Sequence, residues 1–179
     1  MTEYSVANYM ANRQWEKGKN RKRMRYLHQL AQESKHDPDI SSKIGGILIY
    51  NQMIEQFLAD IVRMSIYYIK AQIWPVEVEL DVDLDKSTFG KVIEYFKQYA
   101  TVEPNRDKIL ADLKKFNTKR NQVVHDLFDI ENLSNLAREL DEYADLADEI
   151  LKMLMAYETQ VRNNFCQLND QMDFCGCNK

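Results

Sequence analysis

Apolar residues recur at helical spacing along most of this chain. In residues 41–73 they stand three and four positions apart, and Ser41 or Ser42 precedes them as an N-cap. Residues 131–161 show the same period more regularly. Both segments are predicted to be long helices of a bundle. The predicted core stripes are Ile47, Ile54, Phe57, Ile61, Met64 and Tyr68 in the first, and Leu133, Leu136, Leu140, Tyr143, Ala147, Ile150 and Leu154 in the second.

Further helices are predicted around these two. Residues 4–34 form a first amphipathic segment that "SKHDPD" ends. The stretch "STFGKVIEYF" predicts another helix with Ser87 or Thr88 as its N-cap, and residues 105–128 predict the next. The polar residues after about position 164 are expected to fray.

One stretch departs from the helical period. In residues 76–85 Val and Leu alternate with five carboxylates, a period of two that is typical of extended chain. It is either an extended connection that lies on the bundle or a strand that pairs with its copy in a dimer. A cation site is less favoured, because alternating acids do not converge on one ion. The fold class predicted is all-α, a bundle of about five helices with an extended acidic connection at residues 74–86.

Composition supports a single domain. The chain of 179 residues has five Gly and three Pro and no linker-like stretch. We therefore expect one domain over residues 1–179, with a basic helical segment at 1–40, a bundle core at 41–160 and a Cys-containing tail at 161–179. No apolar run is long enough to cross a bilayer and no secretory h-region opens the chain, so we expect a cytoplasmic protein without membrane partners.

The three cysteines lie near the end of the chain. Cys166, Cys175 and Cys177 are an odd number and do not indicate a disulfide framework. Binding of a soft metal ion by these three thiols is less favoured, because a structural zinc site normally needs four well-placed ligands. We therefore predict neither a metal nor a cofactor.

Charge is divided unevenly along the chain. Residues 11–25 hold seven Lys or Arg and one Glu, whereas residues 126–150 hold nine Asp or Glu and one Arg. A basic segment beside an acidic helix indicates either contact with nucleic acid or mutual neutralisation within the fold or across a dimer.

The motif "KRNQVVHDLF" carries the candidate chemistry. Arg120 stands where the helical seam of residues 105–128 calls for an apolar side chain, and a guanidinium there needs an acid, a phosphate or water. His125 lies about 140° round the helix from Arg120, and Asn121 shares a face with His125.

This motif and its context resemble the HEPN superfamily. "RNQVVH" fits its R-x4-6-H motif, in which Asn often follows the Arg, and "STFGKVIEYF" followed by "ILADLKKFNTKRNQVVHDLF" has the order of its helices. The helix "YNQMIEQFLADIV" is similar to an upstream helix that often carries an acid, which would be Glu55. The resemblance covers roughly residues 42–155.

The resemblance implies a homodimer whose two motifs line one cleft. Active members are metal-independent endoribonucleases of toxin or antiviral defence type, which require a base, an acid and a cation at the phosphate. Arg120 and His125 would be catalytic, aided by Asn121 and Glu55, and RNA would be the substrate. The backbone of that RNA would follow the basic segment at Lys17, Lys19, Arg21, Lys22, Arg23 and Arg25.

Two residues depart from the family pattern. Asp126 brings a negative charge beside the proposed phosphate site. Two residues after His125, where some toxins carry a Tyr that a cognate antitoxin modifies, this chain has Leu127. The alternatives are a non-catalytic HEPN-like module that binds RNA, a nucleotide or a regulatory protein, and a helical adaptor in which Arg120 forms an interface salt bridge with an acid such as Glu55.

Overall fold

Five α-helices make up the regular structure of this protein in the computed structural model. The structure describes residues 22–73, 76, 82–84, 86–100, 102, 105–126 and 133–171, except for the side chains at 71, 124–126, 133–134, 165–166 and 168–171. Over these residues there is no strand, which confirms the predicted all-α bundle of about five helices. The helices are α1 (residues 22–36), α2 (Ile40–Gln72), α3 (Phe89–Tyr99), α4 (Arg106–Asp126) and α5 (Leu133–Gln171).

The predicted core stripes describe the buried faces well. All the α5 positions from Leu136 to Leu154 in the predicted stripe are buried, and in α2 the three isoleucines of the stripe are buried. Phe57 and Met64 lie at the margin of the core and Tyr68 is partly exposed. The short helix α3 is amphipathic. Its buried residues are Phe89 and the residues three, four and seven positions after it, which share one face of the helix: Val92, Ile93 and Phe96.

Aromatic contacts give the direction of α3 along the central helix α5. Phe89, at the start of α3, packs on Phe116 of α4, which stacks on Tyr143 of α5. Phe96, two turns later in α3, packs on Tyr157 of α5 with ring centroids 5.3 Å apart. Helix α3 therefore runs in the direction of α5, and α4 returns against it.

The long connection between α2 and α3 has a topological reason. Helix α2 also runs along α5 in the same direction, since Lys43 pairs with Asp141 and Tyr50 bonds to Gln32, which reaches Asp148. Two consecutive helices that point the same way need a segment that returns the chain. Most of the predicted acidic connection at 74–86 lies outside the described residues; within it, residues 82–84 are irregular rather than a strand.

The N-cap predicted for α2 is wrong by a few residues. Helix α2 begins at Ile40, and its N-cap is Asp39, whose side chain accepts a hydrogen bond from the Ser42 backbone N–H at 3.0 Å. Asp is as good an N-cap as Ser, and Pro38 just before it disfavours helix in the preceding turn. The alternative cap at Thr88 is correct for α3.

The predicted end of the last helix is also wrong. Helix α5 continues to Gln171, although residues after about 164 were expected to fray. Val161 is buried and Arg162 pairs with Glu158 one turn earlier, so burial and an ion pair hold α5 in place just before the added turns. Cys166 lies on this helix, whereas Cys175 and Cys177 lie outside the described residues.

Helix α1 packs closely on α2 through Gly46. A Cβ atom at Gly46 would lie 2.8 Å from the Ser34 Cβ and 3.3 Å from the Ala31 carbonyl oxygen, whereas one at Gly45 would meet nothing within 4 Å. The two helices can approach this closely only because position 46 has no side chain.

Substitution of the two glycines tests this packing. Ala is favoured over Gly in a helix by about 1 kcal/mol, so we expect Gly45→Ala to raise the free energy of unfolding by up to that amount. Gly46→Ala gains the same propensity but forces α1 away, and we expect a net loss of about 1–3 kcal/mol. Urea denaturation measures both. Equal stabilities for the two variants would contradict the close approach.

In the part of the chain that the structure describes, no helix combines the length and the apolar character that a membrane span requires. All five helices contribute to one apolar core. The single domain over residues 1–179 stays a prediction for the segments beyond the described ranges.

Candidate functional site

The Arg-His motif lies on one uninterrupted helix. Helix α4 extends through Asp126, so the backbones of Arg120, Asn121 and His125 all have helical geometry. Asn121 is exposed, and His125 follows it by one turn on the same side of α4. The side chains of His125 and Asp126 lie outside the described residues. The shared helical face of Asn121 and His125, predicted from spacing, is thus confirmed for the backbone.

Arg120 rests on an aromatic ring. Its guanidinium carbon lies 5.6 Å from the centroid of the Phe89 ring, within the range of a cation–π interaction. Phe89 is buried at the first turn of α3, while Arg120 is partly exposed. A guanidinium can therefore occupy this seam position, because it lies at the edge of the core and covers the face of an aromatic ring.

The ring under Arg120 is the first of a ladder that crosses the bundle. Phe89 meets Phe116 edge-on with centroids 5.8 Å apart, and Phe116 stacks on Tyr143 at 4.8 Å and 14°. The Tyr143 hydroxyl donates a hydrogen bond to the Asn51 Oδ1 atom at 2.6 Å. Four helices therefore meet along this ladder, and the place of Arg120 depends on the packing of the core.

Electrostatics links Arg120 to the core end of the ladder. Burial raises the pKa of Tyr143 well above its ordinary value, while the Arg120 charge and the hydrogen bond to Asn51 oppose that rise. Tyr143 consequently stays protonated near neutral pH and keeps donating to Asn51. Because Tyr143 is not a phenolate, it does not neutralise the positive charge of Arg120.

Glu55 lies one turn after Asn51 on α2 and is partly buried. Within the described part of the chain, no carboxylate forms an ion pair with Arg120, Glu55 included. The adaptor interpretation places such an ion pair at an interface with another chain. Whether the two meet across a dimer stays a prediction.

The acidic face of α5 is neutralised from within the fold. Lys35 pairs with Asp145, Lys43 pairs with Asp141, and Lys119 pairs with Glu142 at 2.9 Å. None of these lysines belongs to the basic segment at residues 11–25. The acids of α5 are thus paired with other lysines of the fold. Neutralisation by residues 11–25, most of which lie outside the described residues, stays a prediction.

Asp148 is the most connected of these acids. It accepts hydrogen bonds from His28 at 2.9 Å, from Gln32 at 2.9 Å and from Lys152 at 2.7 Å. Gln32 also donates to the Tyr50 hydroxyl at 2.9 Å. Burial raises the pKa of Asp148, but the hydrogen bonds from Lys152 and His28 outweigh it and hold that pKa below its ordinary value. The network fastens α1 to α5.

A pH titration tests the Asp148 network. A carboxylate with a lowered pKa stabilises the fold fully above its unfolded value of 3.8, and this contribution disappears as the pH falls through the folded value. We expect Asp148→Asn to cost about 1–3 kcal/mol at pH 7 and to flatten the acid side of the stability profile. The exposed neighbour Glu149 is the control, since Glu149→Gln should leave the profile unchanged. A wild-type profile as flat as that of Asp148→Asn would contradict the network.

Only half of the predicted RNA-contacting residues lie within the described ranges. Lys17, Lys19 and Arg21 lie outside them. Lys22, Arg23 and Arg25 lie on α1 and are exposed. No group of three His, Cys, Asp or Glu side chains among the described residues is arranged to hold a metal ion.

Sequence reasoning missed Phe89, Asn51 and Tyr143 as members of the site. One signal was available: Asn51 is a polar residue inside the apolar stripe of α2, and it is buried. The contact of Arg120 with Phe89 could not be predicted from the spacing of residues, because the two residues lie on different helices.

The sequence matches no protein-family model, no curated protein and no solved structure.

Proposed function

We propose that this protein is a HEPN-like, metal-independent endoribonuclease that acts as a homodimer. The observation that carries the proposal is the state of Arg120. Its guanidinium is partly exposed, lies 5.6 Å from the Phe89 ring centroid and has no carboxylate partner among the described residues. A guanidinium held in this way is available to a phosphate, which it can bind with two parallel hydrogen bonds.

The chemistry uses the nucleophile that RNA carries. The 2′-oxygen attacks the adjacent phosphorus while one His125 imidazole accepts the 2′-OH proton. The P–O5′ bond breaks as the protonated His125 of the other protomer donates a proton to the leaving oxygen. Arg120 stabilises the charge that accumulates on the phosphorane. The products are a 2′,3′-cyclic phosphate and a 5′-hydroxyl.

Supporting roles fall to the neighbouring polar residues. Asn121, exposed one turn before His125, orients the phosphate or the imidazole. Glu55 is assigned to the acid of the upstream helix by the family resemblance. The same resemblance suggests a cytoplasmic toxin or antiviral effector that a cognate antitoxin or another regulatory protein controls.

A second candidate is a non-catalytic HEPN-like module that binds RNA, a nucleotide or a protein partner through the same cleft. The observation that favours it is Asp126, next to His125 in the sequence. A carboxylate close to the reacting phosphate repels its developing negative charge. In this reading Arg120 binds the ligand, but no bond is broken.

RNA cleavage in the presence of EDTA separates the two candidates. We expect the wild-type protein to cleave single-stranded RNA and the His125→Ala variant to lose at least about 100-fold of that activity, since the imidazole supplies general acid–base catalysis. Unchanged circular dichroism and thermal midpoint establish that the variant is folded. Wild-type protein that cleaves no faster than His125→Ala contradicts the endoribonuclease. If that protein nonetheless binds RNA, the second candidate gains.

A further inference from the structure

The outer face of α1 is a surface that the core does not use. Its inner face is fastened by the buried Ala31 beside Gly46 and by His28, Gln32 and Lys35, which reach α5. A helix held along one side presents the opposite side to solvent. On that side the exposed residues Lys22, Tyr26 and Gln29 stand four and three positions apart, and Arg23 and Arg25 flank them.

Tyr26 is unusually exposed for an aromatic residue. Of its surface, 62% is accessible, and no ring contact involves it among the described residues. The other large apolar side chains exposed to this degree in the described part of the chain are Leu48, Val76 and Met155, which are aliphatic. Tyr26 alone in this set offers a flat π-face to a ligand.

The cations around Tyr26 keep their charge available. Lys22, Arg23 and Arg25 are exposed and form no ion pair with another described residue. The acids of α5 that could have neutralised them pair instead with Lys35, Lys43, Lys119 and Lys152. Three cations and one open aromatic ring within two turns complement a chain of phosphates that carries unstacked bases.

We infer that this face, which we call the α1 platform (Lys22, Arg23, Arg25 and Tyr26), binds an unpaired segment of RNA. A base stacks on Tyr26, and the three cations contact the flanking phosphates. The inference rests on RNA being the ligand of the proposed function and narrows it to substrates with single-stranded regions, because a base inside a duplex cannot reach the ring.

The α1 platform lies near the level of Arg120 along the bundle. His28, two residues after Tyr26, bonds to Asp148, whereas Arg120 lies beside Tyr143. Five residues of α5 correspond to about 8 Å. This is the separation of His28 and Arg120 along the axis of α5.

Binding measurements test the platform separately from cleavage. The whole chain of 179 residues with His125→Ala is titrated into a fluorescein-labelled, unstructured 12-nucleotide RNA and into an RNA duplex of equal length, with fluorescence anisotropy as the readout. We expect Tyr26→Ala to weaken binding of the single strand about 5- to 100-fold, Tyr26→Phe to change it less than about twofold, and Leu48→Ala, the exposed control, to leave it unchanged. Duplex binding should not respond to Tyr26.

If the three cations of the α1 platform contact phosphates, the affinity for RNA depends on the salt concentration. Replacing Lys22, Arg23 and Arg25 by Gln should reduce the slope of log K against log salt by about two, since each lost phosphate contact on a single strand contributes about 0.7. Equal affinities of wild type, Tyr26→Ala and the triple Gln variant for the single strand would overturn the platform. So would binding of the face to anionic phosphatidylserine vesicles with no binding to RNA.

Failure of the platform is distinguishable from failure of the enzyme. If wild-type protein cleaves RNA in EDTA while Tyr26→Ala binds the single strand normally, the platform is wrong and the endoribonuclease stands. If the single strand binds through Tyr26 but is never cleaved, the platform stands and the protein is a binding module.

Discussion

Arg120→Ala and Arg120→Lys are both expected to lose at least about 100-fold of the RNA-cleaving activity while the protein remains folded. Removal of one electrostatic stabiliser of a transition state typically costs a factor of 100 to 1,000. Lys keeps the charge but cannot form two parallel hydrogen bonds to a phosphate, nor lie flat on the Phe89 ring as a guanidinium does. Initial rates under saturating and limiting RNA separate the loss in kcat from that in KM.

The fold should tolerate both Arg120 variants. A partly exposed cation–π contact contributes about 0.5–1 kcal/mol, so the thermal midpoint should fall by only a few degrees. Arg138, which is exposed on α5, is the matched control, and Arg138→Ala should keep full activity. An Arg120→Lys variant that retains activity within about threefold would exclude a bidentate phosphate contact.

Phe116→Ala is expected to lower the free energy of unfolding by about 3–5 kcal/mol, which is a large loss for a single substitution. The side chain is fully buried and touches the rings of both Phe89 and Tyr143. Its truncation removes aromatic contacts on two sides as well as apolar burial. Urea denaturation at pH 7 gives the change directly.

The control for Phe116 is a large apolar residue outside the core. Met155 is 53% exposed, and Met155→Ala should change the free energy of unfolding by less than about 0.5 kcal/mol. A loss for Phe116→Ala no larger than that for Met155→Ala would mean that the aromatic ladder does not hold the helices together.

The spacing of apolar residues was sufficient to predict the fold class, because the packing of helices into a bundle depends on which face of each helix is apolar. The α5 stripe from Leu136 to Leu154 is buried as predicted, since such a regular stripe can be buried only against other helices. Helix ends were less predictable. Asp39 and Ser42 are both good caps, and no Gly or Pro marks the end of α5 at Gln171.

The candidate site was only partly predictable for a related reason. Arg120 stood out because a cation in an apolar seam costs free energy. What satisfies it, the ring of Phe89, is 31 positions away in the sequence and meets it only after α3 and α4 pack. Likewise, the charge imbalance between residues 11–25 and 126–150 was visible, but the cations that pair with the acids are Lys35, Lys43 and Lys119.

The most direct test of the endoribonuclease is the dependence of cleavage on the 2′-hydroxyl. The wild-type protein is incubated in EDTA with a single-stranded RNA, with the same strand carrying one 2′-O-methyl group at the mapped cleavage position, and with the corresponding DNA. We expect the RNA to be cut to a 2′,3′-cyclic phosphate and a 5′-hydroxyl, and the single methyl group to abolish cutting at that position. Cleavage of the methylated strand or of the DNA, or no cleavage of RNA above the His125→Ala background, would contradict the account.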